Sequence, residues 1–313
     1  MRVQPFELER FYERWEFHAS LMLSSSDCES RAVEDLLSLE PDARERLLRL
    51  RLGYTEVPGS QELRAAVADC YERVEPDGVL ALAAAEEGIF LTCHALLSRG
   101  DHAVIECPCY GSALALARST GAAVSVWQRR YEDGWAHDLE HLQRLLRPRT
   151  KLVYFNSPHN PTGTQMPHTV FERLLELAAG NAIVLLSDEV YRGLEHDPGE
   201  RLPSACDSYP RAISLGAVSK AHGLPGLRIG WLACREHELL ARIKDLKLYT
   251  TICSSAPSEL LVALAVRHGE RLVEESRRLL LPGAVYDEPQ HVRLGFGRAN
   301  LPDAVAALDA YLG

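Results

Sequence analysis

The 313 residues are 46% hydrophobic and 25% charged, an ordinary globular composition with ample material for one large or two smaller domains. A formal net charge of -10 offers no basic field to nucleic acid or anionic lipid, and no stretch reaches the ~18 apolar residues of a membrane span, so neither partner is expected. The opening M-R-V-Q-P-F-E-L-E-R lacks the apolar core of a signal peptide, and a cytoplasmic protein is expected.

Residues 6–18 read as an amphipathic helix with Phe6, Phe11, Trp15 and His18 near one face. S-S-S-D at 24–27 is loop chemistry, and Asp27 or Ser30 can cap a helix that includes Val33, Leu36 and Leu37. Pro41-Asp42 opens another helix that ends near Gly53, and G-Y-T-E-V-P-G-S at 53–60 is a loop. Ser60 starts a helix with Leu63, Val67 and Cys70/Tyr71 inward.

From there short apolar runs alternate with helices. Strands are expected at Val79–Ala84, His102–Cys107, Ala122–Trp127, Lys151–Asn156, Ile183–Ser187, Ala212–Val218 and Arg228–Cys234. Helices are expected at about 86–98, 110–119, 139–146 and 167–179. Apolar strands with almost no polar alternation, separated by helices, predict an α/β fold: a mostly parallel seven-stranded sheet in a three-layer α/β/α arrangement. Ligands of such sheets sit beyond the carboxyl ends of the strands.

The eight cysteines, at 28, 70, 93, 107, 109, 206, 234 and 253, are scattered and are expected as free thiols. Cys107-Pro108-Cys109 could pair on a metal, but no second cluster at ligand spacing accompanies it, and no metal is expected.

The polar residues at the strand ends carry the chemistry. The run at 213–218 ends in Ser219-Lys220, and a Gly/Pro-rich loop leads to Arg228. A lysine at the mouth of a buried strand is either a solvated ammonium or a reactive amine, and Arg228 could be the cationic neighbour that makes it the latter, or could hold a phosphate. S-P-H-N-P-T-G follows the strand ending at Asn156, D-E-V-Y at 188–191 follows the next, A-A-E-E-G at 84–88 starts a helix, and P-C-Y at 108–110 closes another strand. Taken singly these have plain readings: an Asn-Pro turn, a helix cap at Asp188, a core tyrosine at 110. Together they bring an amide, an acid, a phenol, an amine and an aromatic to one rim. Asp188, at the end of V-L-L-S-D, is expected to be buried and to need a cationic partner.

Over roughly residues 6–298, this ordered set resembles the fold-type-I pyridoxal-phosphate enzymes of the class I/II aminotransferase group, most specifically through N-P-T-G at 160–163, D-E-V-Y and S-K-A-H-G-L-P-G-L-R-I-G-W at 219–231. The resemblance implies pyridoxal 5'-phosphate held by Lys220 as a Schiff base, with Lys220 later moving the proton, and Asp188 paired with the pyridinium nitrogen. It implies Tyr191 and Asn160 on the ring's phenolic oxygen and Tyr110 against the ring face. For the phosphate it implies the amides of Ala85 and Glu86 at a helix start, with Ser219 and Arg228. It further implies Tyr54 reaching the neighbouring site of a homodimer, and Arg293, with Asn160, binding the α-carboxylate of an amino-acid or keto-acid substrate. The expected division is a large cofactor-binding domain at 41–255 and a smaller α+β domain from 1–40 plus 256–313.

Three features depart from the family pattern. Ala217 stands where a serine is frequent, and Ala84 replaces a helix-start glycine. Near 280 the sequence passes straight from E-S-R-R-L-L into L-P-G-A-V-Y: either the small domain is pared down or residues are missing there, and missing residues are the favoured expectation, since a lone helix and strand would bury their apolar faces poorly. The opening F-Y-E-R-W-E-F and K-L-Y-T-T-I-C-S-S-A-P-S-E at 247–259 are similar to capreomycidine-synthase-like members, which cyclise rather than transaminate. An aminotransferase is the leading expectation. A pyridoxal-phosphate lyase or cyclase is the alternative, and a non-catalytic regulatory module is disfavoured by the missing basic head.

Overall fold

The computed structural model describes residues 2–195, 197–277 and 300–312. Seven strands form one sheet: β1 (Val79–Leu82), β2 (His102–Cys107), β3 (Ala123–Gln128), β4 (Thr150–Asn156), β5 (Val184–Asp188), β6 (Ala212–Ala217) and β7 (Gly230–Cys234). Their order is β1-β7-β6-β5-β4-β2-β3. The run from β6 through β5, β4 and β2 to β3 is parallel throughout, whereas β7 is antiparallel to both β6 and β1. The reversal has a simple cause. Between β6 and β7 the chain forms a 3-10 turn at Pro225–Leu227 and no α-helix, and a parallel crossover needs a connection of helix size.

Alternation along the strands builds the three layers. Val79, Ala81, Trp231 and Ala233 enter one apolar cluster with α4 (Gln61–Ala68) and α11 (Ala256–Arg267). Leu80, Leu82, Leu232 and Cys234 enter another with α5 (Ala84–Leu96) and α10 (His237–Lys247). Neighbouring residues of one strand therefore feed opposite faces. Farther along the sheet Val153 and Phe155 of β4 pack with Phe171 and Leu174 of α8 (His168–Gly180), while Tyr154 points to the α5 side. Strands buried on both faces explain the unbroken apolar runs.

The remaining helices are α1 (Glu7–Trp15), α2 (Val33–Leu37), α3 (Ala43–Arg49), α6 (Ser112–Ser119), α7 (Leu139–Leu145), α9 (Ala205–Ser208), α12 (Gly269–Arg277) and α13 (Leu301–Leu312). Ser60 caps α4 by accepting the Leu63 amide at 3.4 Å, and Leu63 and Val67 face inward as expected, but Cys70 is exposed because the helix has ended at Ala68. The inward face expected for the first helix is also corrected. α1 buries no residue, and Phe11 and Trp15 are more than 40% exposed. Its role is different: Leu8, Glu9 and Tyr12 line a hollow over the strand ends. Among the described residues no helix is long and apolar enough to cross a membrane. The eight cysteines are free thiols, with the Cys107 and Cys109 sulfurs 3.8 Å apart.

Candidate active site

Register brings the polar strand ends together. Asn156 ends β4 opposite Asp188, which ends β5 opposite Leu215 of β6. Ser219 and Lys220 follow β6 after a single intervening residue, Val218. The hollow above them, about 350 Å³, is lined by these residues together with the first turn of α5, α1 and the segment 25–27.

Asp188 forms the floor and is 6% exposed. Its Oδ2 accepts the Tyr154 hydroxyl at 2.8 Å and its Oδ1 the Val190 amide at 3.2 Å, while Asn156 Nδ2 donates to its carbonyl at 2.7 Å. The sequence reading called for a cationic partner. Among the described residues Asp188 has no ion pair; neutral donors hold it, and burial pushes its pKa up to about 6. Tyr154 was missed by the sequence reading, although its spacing of two from Asn156 puts both on one face of β4.

Asn160 lines the hollow and is fixed through its backbone, whose N–H donates to Asn156 Oδ1 at 2.5 Å. Behind it lies a fully buried Glu106. Its Oε2 accepts the Asn156 amide at 2.9 Å, Arg129 donates to Oε1 at 3.1 Å, and the Nε2 atoms of His137 and His159 lie at 3.0 and 3.8 Å. Burial opposes ionisation of Glu106, but His159, His137 and Arg129 outweigh it and hold its pKa down to about 2. Burial holds His159 itself down to about 4, so at neutral pH the Glu106–Arg129 pair and the Asn156 bond anchor the loop that carries Asn160, and the sequence reading did not identify them.

Lys220 ends the sheet side of the hollow. Its Nζ pairs with the Asp27 carboxylate and donates to Ser26 Oγ at 3.0 Å. The partner of the amine is thus an acid from 193 residues upstream, in a segment read from sequence only as a loop or cap. Arg228 lines the same hollow, with a left-handed backbone (φ 50°) and a guanidinium donating to the Pro225 carbonyl at 3.2 Å. Ser219 and Tyr191 also line it.

The first turn of α5 closes one end. Helix geometry leaves its leading N–H groups without intrahelical partners, which makes this turn an anion seat. Ala84 takes φ 73°, where alanine costs about 1–2 kcal/mol that glycine would not. Strand β7 passes very close: a Cβ added at Gly230 would lie 2.7 Å from the Ala85 nitrogen. Ala85 and Glu86 both line the hollow. Glu86 Oε2 is buried without a hydrogen bond, and burial, with Glu9 and Asp188 adding to it, pushes its pKa up to about 7. Tyr110 donates to Glu9 Oε1 at 2.5 Å and meets Phe6 edge-on at 4.8 Å. Burial and the Glu9 bond push its phenol far up, so it stays protonated.

Nine of the expected site residues line this one hollow. Tyr54 does not; it is 95% exposed on the surface. Arg293 and the segment near 280 lie outside the described residues.

The set defines an enzyme class. An amine, a buried acid lacking an ionic partner, and an anion seat with an arginine beside it match a small aromatic phosphate that carries an aldehyde and a basic ring nitrogen. The model for aminotransferase class I and II matches residues 20–281, and the chain belongs to that family. Members use pyridoxal 5'-phosphate, whose phosphate suits the α5 turn and whose ring nitrogen suits Asp188. The chain is similar to capreomycidine synthase of Streptomyces vinaceus, at 35% identity over 85% of this chain and 68% of that protein. It is also similar to an arginine–pyruvate transaminase of Pseudomonas aeruginosa, at 33% identity over 61% of this chain and 50% of that one. A pyridoxal-phosphate-dependent aminotransferase from Streptococcus suis superimposes with a TM-score of 0.84 at 32% identity, over 89% of this chain and 75% of that one.

Proposed function

We propose that this chain is an aminotransferase that moves an amino group between an amino acid and a 2-keto acid, with Lys220 as the cofactor-binding amine and proton carrier. The observation that carries this reading is the convergence of Lys220, Asp188 and the first turn of α5 on one hollow. Bound pyridoxal phosphate supplies an aldehyde for amines to capture and a ring that withdraws electrons from the substrate's Cα.

The chain's own residues do the rest. Asp188, once ionised, favours a protonated ring nitrogen. The amides of Ala85 and Glu86, with Ser219 and Arg228, hold the phosphate. Asn160 and Tyr191 act as hydrogen-bonding partners of the ring oxygen, and Tyr110 covers one ring face. The Lys220 amine, facing the hollow beside Asp188, would serve as the base that takes the substrate's Cα proton and then as the acid that gives it back. Asp27 and Ser26 receive its ammonium in the interval. Arg293, with Asn160, is assigned the substrate carboxylate.

A second reading is supported by the similarity to capreomycidine synthase: the same Cα deprotonation followed by loss of a β-substituent and ring closure. One experiment separates the two. The loaded enzyme is mixed with single amino acids, arginine and hydroxyarginine included, with no keto acid present. Aminotransfer releases one keto acid per active site and stops. Elimination with closure turns over continuously to a cyclic amino acid. Neither product from any amino acid would refute both.

The reading includes a homodimer. Leu48, Leu52, Tyr54 and Tyr249 are each more than 75% exposed, and Thr55 Oγ1 donates to the Ser254 carbonyl at 3.0 Å, which ties the two exposed segments together. An exposed apolar surface of this kind suits an interface between copies, and across it Tyr54 would reach the neighbouring phosphate.

A further inference from the structure

We infer that Tyr154 is a positioning residue for Asp188, its hydroxyl holding that carboxylate as an anion turned toward the hollow. The inference rests on the reading above in which Asp188 meets the cofactor's ring nitrogen.

The geometry is specific. Tyr154 lies two residues before Asn156 on β4, and the two grip Asp188 from the neighbouring strand: the phenol on Oδ2 at 2.8 Å, the amide on the backbone carbonyl at 2.7 Å. The Val190 amide takes Oδ1 at 3.2 Å, so each carboxylate oxygen has one donor and the group's rotation is fixed. Tyr154 is 1% exposed and packs among Ile105, Leu186 and Leu215, where a phenylalanine would fill the same space. The hydroxyl is therefore there for its hydrogen bond. Burial and the adjacent Asp188 charge push the phenol well above its ordinary value of 10.0, so it acts as a donor at every working pH.

Opposing groups act on Asp188, and burial is the largest of them. Burial raises its pKa, as does Glu189 on its own segment; the Tyr154 and Val190 bonds and the Lys220 charge lower it. Glu86, on α5, repels it in turn. The outcome, about 6, leaves the group anionic at neutral pH by a narrow margin. Loss of a hydrogen bond to a buried charge is worth about 1–2 pH units, enough to move Asp188 past neutrality. A neutral Asp188 would no longer support a protonated ring nitrogen.

The test begins on the cofactor-free protein, labelled with 13C at aspartate carboxyls and titrated by NMR, with Asp188→Asn assigning the resonance. Tyr154→Phe is expected to raise the Asp188 midpoint by about 1–2 pH units. Site-specific 3,5-difluorotyrosine at 154, a stronger donor of nearly the same shape, is expected to lower it. Opposite shifts cannot arise from altered packing, and the second variant keeps the test intact should Tyr154→Phe fold poorly. Midpoints that coincide with the wild type overturn the inference. A second arm loads the proteins with pyridoxal phosphate 15N-labelled in the ring and reads the nitrogen shift at pH 7. The expectation is a displaced signal in both Asp188→Asn and Tyr154→Phe. A shift in the first alone overturns the role of Tyr154 and leaves the Asp188 reading standing. No shift in Asp188→Asn refutes the Asp188 reading beneath it.

Discussion

Asp188→Asn is predicted to stabilise the cofactor-free fold at neutral pH while weakening cofactor binding. Asp188 carries its proton up to about pH 6 when folded, against an ordinary value of 3.8. Between those values the folded chain binds the extra proton, so its stability falls as pH rises through the window and the loss is complete above about 6. A displacement of about two units corresponds to about 3 kcal/mol. Asparagine has no charge to desolvate, and its oxygen still accepts the Tyr154 hydroxyl; its NH2 meets the Val190 amide less well, which returns about 1 kcal/mol of the gain. Urea denaturation of both proteins, stripped of cofactor, at several pH values between 4 and 8 measures the difference. The variant is expected to gain on the wild type by about 2 kcal/mol at pH 8 and to lose that advantage by pH 4. A stability difference that does not change with pH would refute the argument that a buried, ionically unpaired Asp188 costs the fold stability.

Three further outcomes follow from other parts of the structure. Glu106→Gln leaves the Arg129 guanidinium buried beside a neutral amide and is expected to cost about 3–5 kcal/mol in denaturant unfolding; because the folded pKa of Glu106 is lowered from 4.5 to about 2, its contribution is present above pH 4.5 and fades as pH falls toward 2. Gly230→Ala forces a methyl to within 2.7 Å of the Ala85 nitrogen and is expected to weaken pyridoxal-phosphate binding about tenfold or more by absorbance titration, since about 1.4 kcal/mol lost at the anion seat suffices; unchanged affinity would remove the α5 turn from the phosphate site. Leu52→Glu places a charge on the exposed apolar face and is expected to turn a dimer into monomers by sedimentation velocity, while an unaltered dimer would place the interface elsewhere.

What the sequence made legible was whatever local pattern controls. All seven strands were readable because burial on both faces writes a continuous apolar run, and the polar residues that end those runs fell on one rim because a parallel sheet aligns its carboxyl ends. The direction of β7 was not read, since it depends on the short link from Ala217 to Gly230 rather than on the strand itself. Residues that act through distant partners were invisible for the same reason. Asp27 meets Lys220 across 193 positions, and Glu106 gathers Arg129 and His137 from the connection after β3 and His159 from the loop after β4. The expectation that α1 hides an apolar face failed because Glu9 and Tyr12, the side chains that matter, are the polar ones turned to the hollow. Asp188 was correctly expected to be buried, but a sheet can hold a carboxylate with a phenol and an amide as well as with a cation.

The most direct test of the account is the attachment point of the cofactor. Purified protein is incubated with pyridoxal phosphate, reduced with borohydride, digested and weighed by mass spectrometry, beside Lys220→Ala treated identically. The account predicts one modified peptide, bearing the reduced cofactor on Lys220, and none at stoichiometric level in the variant. Stoichiometric modification of another lysine, or none at all in the wild type, would contradict it.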